Sequence, residues 1–154
     1  MDGLGYFLKH MPRSDDITLV TLKGHLLVEE QINMVLSMRL RDPKELFSAR
    51  LNFSQRLAVL RAVSGPAATL SHRFSAYGKL NQLRNKLAHN LDPAELEALA
   101  TEFLTELEEP GYTQEFAKEK LGKRMKRCIA LLCGELSGCN EAVRSLQIQP
   151  DKSV

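Results

Sequence analysis

The chain has 154 residues, 44% of them hydrophobic and 6% aromatic, with 21 basic and 19 acidic side chains and a net charge of +2. This length is enough for one domain with a buried core. The net charge is too small to indicate nucleic-acid binding by itself. No apolar run approaches the ~20 residues that a membrane span needs. The absence of tryptophan and the abundance of helix-forming residues favour a helical bundle over a sheet.

The start of the chain and its cysteines together indicate a cytoplasmic protein. The apolar patch at 4–8 is short and lacks the basic and apolar regions of a secretory signal. Three cysteines, Cys128, Cys133 and Cys139, are an odd number and match neither a disulfide framework nor a zinc-binding spacing. We therefore expect a reducing environment, no cofactor, no metal and no membrane association.

Hydrophobic periodicity and helix-ending residues predict an all-α single domain of about five helices. Its core spans about 16–147, between a short N-terminal segment, 1–15, and a polar C-terminal tail, 147–154. Asp15 or Asp16 caps a first helix that runs to about residue 40, where Asp42-Pro43 ends it. The further predicted helices are 54–63, 67–89 with Asn90 as its C-cap, 93 to the break at Pro110-Gly111, and 113–146, with a short helical piece at 43–49.

The most specific pattern lies at the end of the predicted helix 67–89. Arg84 and His89 are five residues apart, and Asn85 follows the arginine directly. Chance predicts this combination about 0.01 times in a chain of this composition. We expect the stem of Arg84 to be buried and its guanidinium to converge with His89 on one small anion. Two stripes lie side by side on this helix. The apolar stripe consists of Ala76, Leu80, Leu83 and Leu87, and the polar strip consists of Gly78, Asn81, Asn85 and His89.

The first long helix is apolar almost all round, which predicts a central position, and yet it contains several polar residues. Glu30 has apolar neighbours one turn away on both sides, so we expect it to point near the core. A carboxylate there needs a cationic partner, for which Arg84 is the candidate. His25 and Glu29 are four residues apart and face either the Arg84 site or solvent, and we favour solvent.

The segment 79–90, which contains Arg84-Asn85-x3-His89, resembles the R-[polar]-x3-H signature of the HEPN superfamily. It is also similar to the mannitol-operon-repressor-like and uncharacterised bacterial branches of that superfamily. The motif covers six residues, and the predicted helix order is compatible with the small HEPN bundle across about 16–147. The resemblance implies a metal-independent endoribonuclease of toxin or defence systems, restrained by a cognate protein. It also implies a homodimer that brings two motifs into one cleft.

The resemblance implies a role for each residue of the motif. His89 would move the proton when a ribose 2′-OH attacks the adjacent phosphate, Arg84 would stabilise the charge on the phosphorane, and Asn85 would orient the phosphate or the imidazole. These residue types suit the reaction, since histidine exchanges protons near neutral pH and a guanidinium matches phosphate oxygens. The supporting residues are Glu29, Glu30 and Asn81.

A basic stretch on the last predicted helix is a possible phosphate track for RNA. Acidic residues interrupt it and no aromatic residues lie within it, so a solvated face is the favoured alternative. The candidate phosphate-contacting residues are Lys123, Arg124, Lys126 and Arg127.

The alternative for the whole chain is a non-catalytic interaction or regulatory module, such as a repressor-like or immunity-type protein. In that case Arg84 pairs with Glu29 or Glu30, and Asn85 binds backbone. His89 then stabilises the helix C-terminus, where the helix dipole favours a cation. The surface of the bundle would bind a protein partner.

Overall fold

The computed structural model of the protein describes residues 3–64, 73–89, 92–108 and 117–147, with side chains described between residues 5 and 139. These ranges contain seven α-helices and no β-strand, so the all-α class is confirmed. The predicted number of about five is too low, because the segment 1–15 forms a helix of its own and the piece at 43–48 is a separate helix. The helices are α1 (Gly3–His10), α2 (Ile17–Arg39), α3 (Pro43–Ser48), α4 (Phe53–Ser64), α5 (Phe74–Leu87), α6 (Pro93–Thr105) and α7 (Leu121–Gln147).

The two longest helices, α2 and α7, pack along each other and form the centre of the fold. Gly24 lets α7 come close to α2, because a Cβ atom there would overlap the side chain of Ile129. On α2, buried apolar residues recur along most of the helix, which confirms its predicted central position. Helix α1 covers α7 with Phe7 buried, α4 and α5 cover α2, and α6 packs on α5 and α7.

Capping interactions fix the N-termini of α2 and α4. The Oδ1 atom of Asp16 accepts a hydrogen bond from the backbone N of Leu19 at 2.8 Å, which confirms the predicted start of α2. At the start of α4, Asn52 and Gln55 bind each other's backbone N–H groups at 3.0 and 2.9 Å. This reciprocal capping box holds the N-terminus of α4 in place beside α2 and α5.

Several predicted boundaries differ from the observed ones. Helix α7 begins at Leu121 and not near residue 113, because residues 117–120 form turns and a bend. Asp92 stands at the N-cap position of α6 in an extended conformation, but its side chain makes no capping hydrogen bond. The Pro110-Gly111 break, the Asn90 cap and residues 67–72 of the predicted helix 67–89 lie outside the described residues. Within the described ranges, no helix has the length and apolar character needed to cross a membrane.

Candidate functional site

A polar pocket of about 310 Å³ lies between α2, the start of α4 and α5. Four of the residues selected from the sequence contribute to it, two of them from the motif and two from the supporting set. The pocket also contains residues that the sequence did not single out. Its lining consists of His25, Glu29, Asn52, Phe53, Ser54, Asn81, Arg84 and Asn85.

His25 is the most buried polar residue of this pocket, with 4% of its surface exposed. Its Nε2 atom lies 3.1 Å from Oδ1 of Asn81, and Nδ2 of Asn81 donates to Oγ of Ser54 at 3.1 Å. Since this amide presents its oxygen to the ring, Nε2 is the protonated nitrogen and Nδ1 is left without a proton in the neutral form. The ring packs on Phe53, with ring centres 4.5 Å apart.

The charge of His25 follows from this environment. Burial lowers the pKa of His25, while the hydrogen bond that its Nε2–H donates to Asn81 and the carboxylate of Glu29 raise the pKa, and the nearby guanidinium of Arg84 lowers it further. The imidazole is therefore neutral at neutral pH. The expectation that His25 faces solvent is wrong, because the side chain turns inward and contacts α4 and α5.

Glu29 is held by a residue other than the predicted one. Nη1 of Arg56 donates to Oε1 of Glu29 at 3.2 Å and to Oδ1 of Asn33 at 3.1 Å. The other carboxylate oxygen, Oε2, lies 4.0 Å from Nδ1 of His25, and Glu29 is one of the residues that line the pocket. The pairing of Glu29 with Arg84 is therefore not observed, and within the described residues Oε2 accepts no hydrogen bond.

Arg84 and Asn85 contact each other instead of the rest of the fold. Nη1 of Arg84 donates to Oδ1 of Asn85 at 3.1 Å, and both side chains are exposed. The prediction of a buried stem for Arg84 is wrong, because α5 buries the face that contains Leu80 and Leu83, and Arg84 lies about 100° around the helix from Leu83. Among the described residues, no carboxylate lies within ion-pair distance of Arg84.

Glu30 is exposed and does not approach the core or Arg84. Its carboxylate accepts a hydrogen bond from the hydroxyl of Tyr6, which raises the pKa of that tyrosine. The predicted ion pair between Glu30 and Arg84 is wrong, because Glu30 lies on the face of α2 next to α1, and α1 was not predicted. Glu30 therefore does not belong to the pocket.

His89 is exposed in the turn that follows α5, where its backbone N donates to the carbonyl of Lys86 at 3.0 Å. It does not line the pocket. The polar strip predicted on this helix is thus divided, since Asn81 and Asn85 line the pocket whereas His89 lies beyond the end of the helix. Within one chain, the structure brings Arg84 and Asn85 together with His25 and leaves His89 outside.

The basic stretch of α7 is neutralised by carboxylates of the same chain. Lys126 contacts Asp15 at 2.9 Å, and Arg124 forms a bidentate ion pair with Glu108. Lys123 and Arg127 both contact Glu119, at 2.8 and 2.7 Å. Each of the four candidate phosphate-contacting residues thus has an anionic partner within the chain, and contact between this stretch and phosphate stays a prediction.

The cysteines and carboxylates offer no further chemistry within the described residues. Burial raises the pKa of both Cys128 and Cys133 to about 12, so these thiols stay protonated and behave as core residues. Cys128 and Cys133 are free thiols. No group of three or more potential ligands is placed to hold a metal ion in the described part of the chain.

Comparisons of the chain with protein families, curated proteins and solved structures found no significant match. The chemistry of the site must therefore be argued from its geometry and from the motif. A charged guanidinium, an amide and a carboxylate oxygen surround a space of ligand size, next to a neutral imidazole. This arrangement suits an anionic ligand that also carries hydrogen-bond donors.

Proposed function

We propose that the protein is a metal-independent endoribonuclease of the HEPN type, which cleaves RNA by attack of a ribose 2′-OH on the adjacent phosphate. The observation that supports this most is the position of Arg84. Its side chain is exposed at a polar pocket and contacts Asn85, the next residue of the motif, without a carboxylate partner among the described residues. Such a guanidinium is free to form bidentate hydrogen bonds with phosphate oxygens.

The alternative role of Arg84, stabilising the fold, has little support in the contacts of the chain. That role required an ion pair with Glu29 or Glu30. Glu29 contacts Arg56 instead, and Glu30 accepts a hydrogen bond from Tyr6. An exposed arginine that makes one hydrogen bond to its neighbour contributes little to stability. Its position beside the pocket is better explained by ligand binding.

His89 supplies the proton transfer in this proposal. An exposed imidazole at the end of α5 is accessible to a phosphate of the RNA backbone, and histidine exchanges protons near neutral pH. Because His89 lies outside the pocket, we propose that a second copy of the chain completes the cleft, with the two α5 ends close together. Leu19, Leu22 and Leu26, all at least 40% exposed on one face of α2, offer apolar surface for such a homodimer.

A role as a toxin or defence component restrained by a cognate protein, in the cytoplasm of a bacterium, completes this proposal. A non-catalytic interaction or regulatory module is the second candidate. It is favoured by one specific observation, the separation of His89 from the pocket that contains Arg84. In that case the pocket binds a ligand or a partner protein without cleaving it.

Incubation of the purified protein with total RNA in excess EDTA distinguishes the ribonuclease from the non-catalytic module. The ribonuclease proposal predicts cleavage by the wild type that leaves 2′,3′-cyclic phosphates and no cleavage by His89→Ala. His10→Ala is the matched control, because His10 is also an exposed histidine at the end of a helix, and it should cleave like the wild type. Intact RNA with all three proteins would refute the ribonuclease and favour the interaction module.

A further inference from the structure

We infer that the pocket between α2, α4 and α5 is a recognition site for one unpaired guanine nucleotide, with the base against His25 and Glu29 and the phosphate on Arg84. The inference rests on the proposed function in taking RNA as the source of that nucleotide. It goes beyond the motif, because Glu29, Ser54 and His25 lie on other helices and select the base instead of reacting with the phosphate.

The size of the pocket indicates a single nucleotide. Its volume of about 310 Å³ is at the lower end of the ~300–1,000 Å³ that small-molecule pockets span. A duplex cannot enter such a space, whereas an unpaired base can be turned out of a strand and inserted. The rings of His25 and Phe53, which pack on each other and are 4% and 6% exposed, contribute only their edges to the wall of the pocket beside the base.

The free hydrogen-bonding groups of the pocket can be counted from the contacts already made. Oε1 of Glu29 accepts from Arg56, Oδ1 of Asn85 accepts from Arg84, and both ends of the Asn81 amide are used. One carboxylate oxygen, Oε2 of Glu29, is left as an acceptor. The amide nitrogen of Asn85, the hydroxyl proton of Ser54 and the other N–H groups of Arg84 are left as donors.

Guanine complements this set better than the other three bases. Its two adjacent N–H donors, at N1 and N2, match the two lone pairs of Oε2 of Glu29, and its two acceptors, O6 and N7, match the amide nitrogen of Asn85 and the hydroxyl of Ser54. Adenine and cytosine each present one exocyclic amino group, and uracil presents a single N–H between two carbonyls. The pocket contains one carboxylate among several donors. A base with two adjacent donors next to two acceptors therefore forms the largest number of hydrogen bonds with it.

The test is a binding titration that does not depend on cleavage. Guanosine 3′-monophosphate is added to the His89→Ala protein while the imidazole C–H resonances of His25 are followed by NMR, and the adenosine, cytidine and uridine monophosphates are titrated in parallel. We expect saturable shifts, with guanosine monophosphate bound about tenfold more tightly than the others, the discrimination typical of one good base contact. Absence of saturation, or equal affinity for the four nucleotides, would overturn the inference.

Variants locate the binding in the pocket. Glu29→Gln should remove the preference for guanine, and Glu102→Gln, which breaks an ion pair with Lys79 outside the pocket, should leave it unchanged. Because Glu29→Gln also loosens Arg56, its melting temperature is measured first. Asn85→Ala provides a second variant and should weaken binding, because the side chain of Asn85 is exposed and, within the described part of the chain, its hydrogen bond is to Arg84. Unchanged binding by both pocket variants would refute the assignment.

A further arm identifies the source of the nucleotide and separates this inference from the ribonuclease proposal. A uridine hexamer with one guanosine should bind at least as tightly as the mononucleotide and more tightly than the all-uridine hexamer. Much tighter binding of the free mononucleotide would overturn the assignment to RNA. Guanine binding without RNA cleavage would refute the ribonuclease alone, and cleavage without guanine preference would refute the recognition site alone.

Discussion

His25 on α2 and Asn81 on α5 are joined by a hydrogen bond of 3.1 Å between Nε2 and Oδ1. Asn81 continues this connection to Ser54 at the start of α4, again at 3.1 Å. One polar network therefore ties together the three helices that surround the pocket. It places Glu29, one turn beyond His25, opposite Arg84, about one turn beyond Asn81. The pocket is a consequence of how these helices pack.

Replacing Asn81 tests this network. Asn81→Ala leaves the buried Nε2–H of His25 without a partner, and an unsatisfied buried donor costs about 1–3 kcal/mol. We expect the free energy of unfolding, measured in urea, to fall by about that amount. Asn85→Ala is the control, because it removes an exposed hydrogen bond on the same helix and should cost less than about 0.5 kcal/mol. Equal losses in the two variants would contradict the network.

The burial of His25 predicts a pH dependence of stability. Because the folded state lowers the pKa of His25, the unfolded chain takes up a proton first as the pH falls below the ordinary value of 6.5. The contribution of neutral His25 to the free energy of unfolding is therefore fully present above pH 6.5. It is lost as the pH falls below that value, by at most about 1.4 kcal/mol per pH unit. Urea unfolding between pH 7.5 and 5.5 should show a steeper loss for the wild type than for His25→Gln. Parallel curves would exclude a buried neutral imidazole.

Glycine at position 122 is required by the contact between the start of α7 and the segment before α2. A Cβ atom there would overlap the carbonyl oxygen of Asp15 and lie 2.6 Å from its carbonyl carbon. Since a backbone cannot move aside as a side chain does, Gly122→Ala should destabilise the protein by about 1–3 kcal/mol. Gly134→Ala, on the same helix with nothing within 4 Å, should instead stabilise it by about 0.5–1 kcal/mol. Melting temperatures that shift in the same direction would contradict this packing.

The ion pair between Arg124 and Glu108 joins α7 to the segment that follows α6. Both side chains are less than one-fifth exposed, and their contact is bidentate. Arg124→Ala leaves a partly buried carboxylate without its partner, so we expect a loss of about 1–3 kcal/mol in thermal or urea unfolding. Lys123→Ala, which removes a largely exposed ion pair one residue earlier, should change stability by less than about 0.5 kcal/mol.

Local signals predicted much of the fold, because they act over one or two turns. The Asp16 cap, the end of α2 before Asp42-Pro43 and the start of α6 at Pro93 each depend on neighbouring residues. The apolar residues of α6 recur at helical spacing in the sequence, and Ala100, Phe103 and Leu104 among them are buried. Helix α1 was missed, since eight residues are too short for a clear period and Phe7 is buried by contact with a distant helix.

The partners of charged residues could not be predicted in the same way, because they depend on which helix faces which. Glu30 and Glu29 are neighbours in sequence, yet one contacts Tyr6 on α1 and the other contacts Arg56 on α4. The burial of His25 had a signal in the sequence, namely a histidine and a glutamate four residues apart on an otherwise apolar helix. That signal does not say which neighbouring helix supplies the hydrogen-bond partner.

The central claim is that Arg84 serves a ligand and not the fold. The most direct test compares Arg84→Ala with the wild type in two measurements. The first is the rate of RNA cleavage in excess EDTA, and the second is the free energy of unfolding at the same protein concentration. We expect the free energy of unfolding to stay within about 0.5 kcal/mol of the wild type, while cleavage is lost. Undiminished cleavage by this stable variant, or a loss of stability of several kcal/mol, would contradict the account.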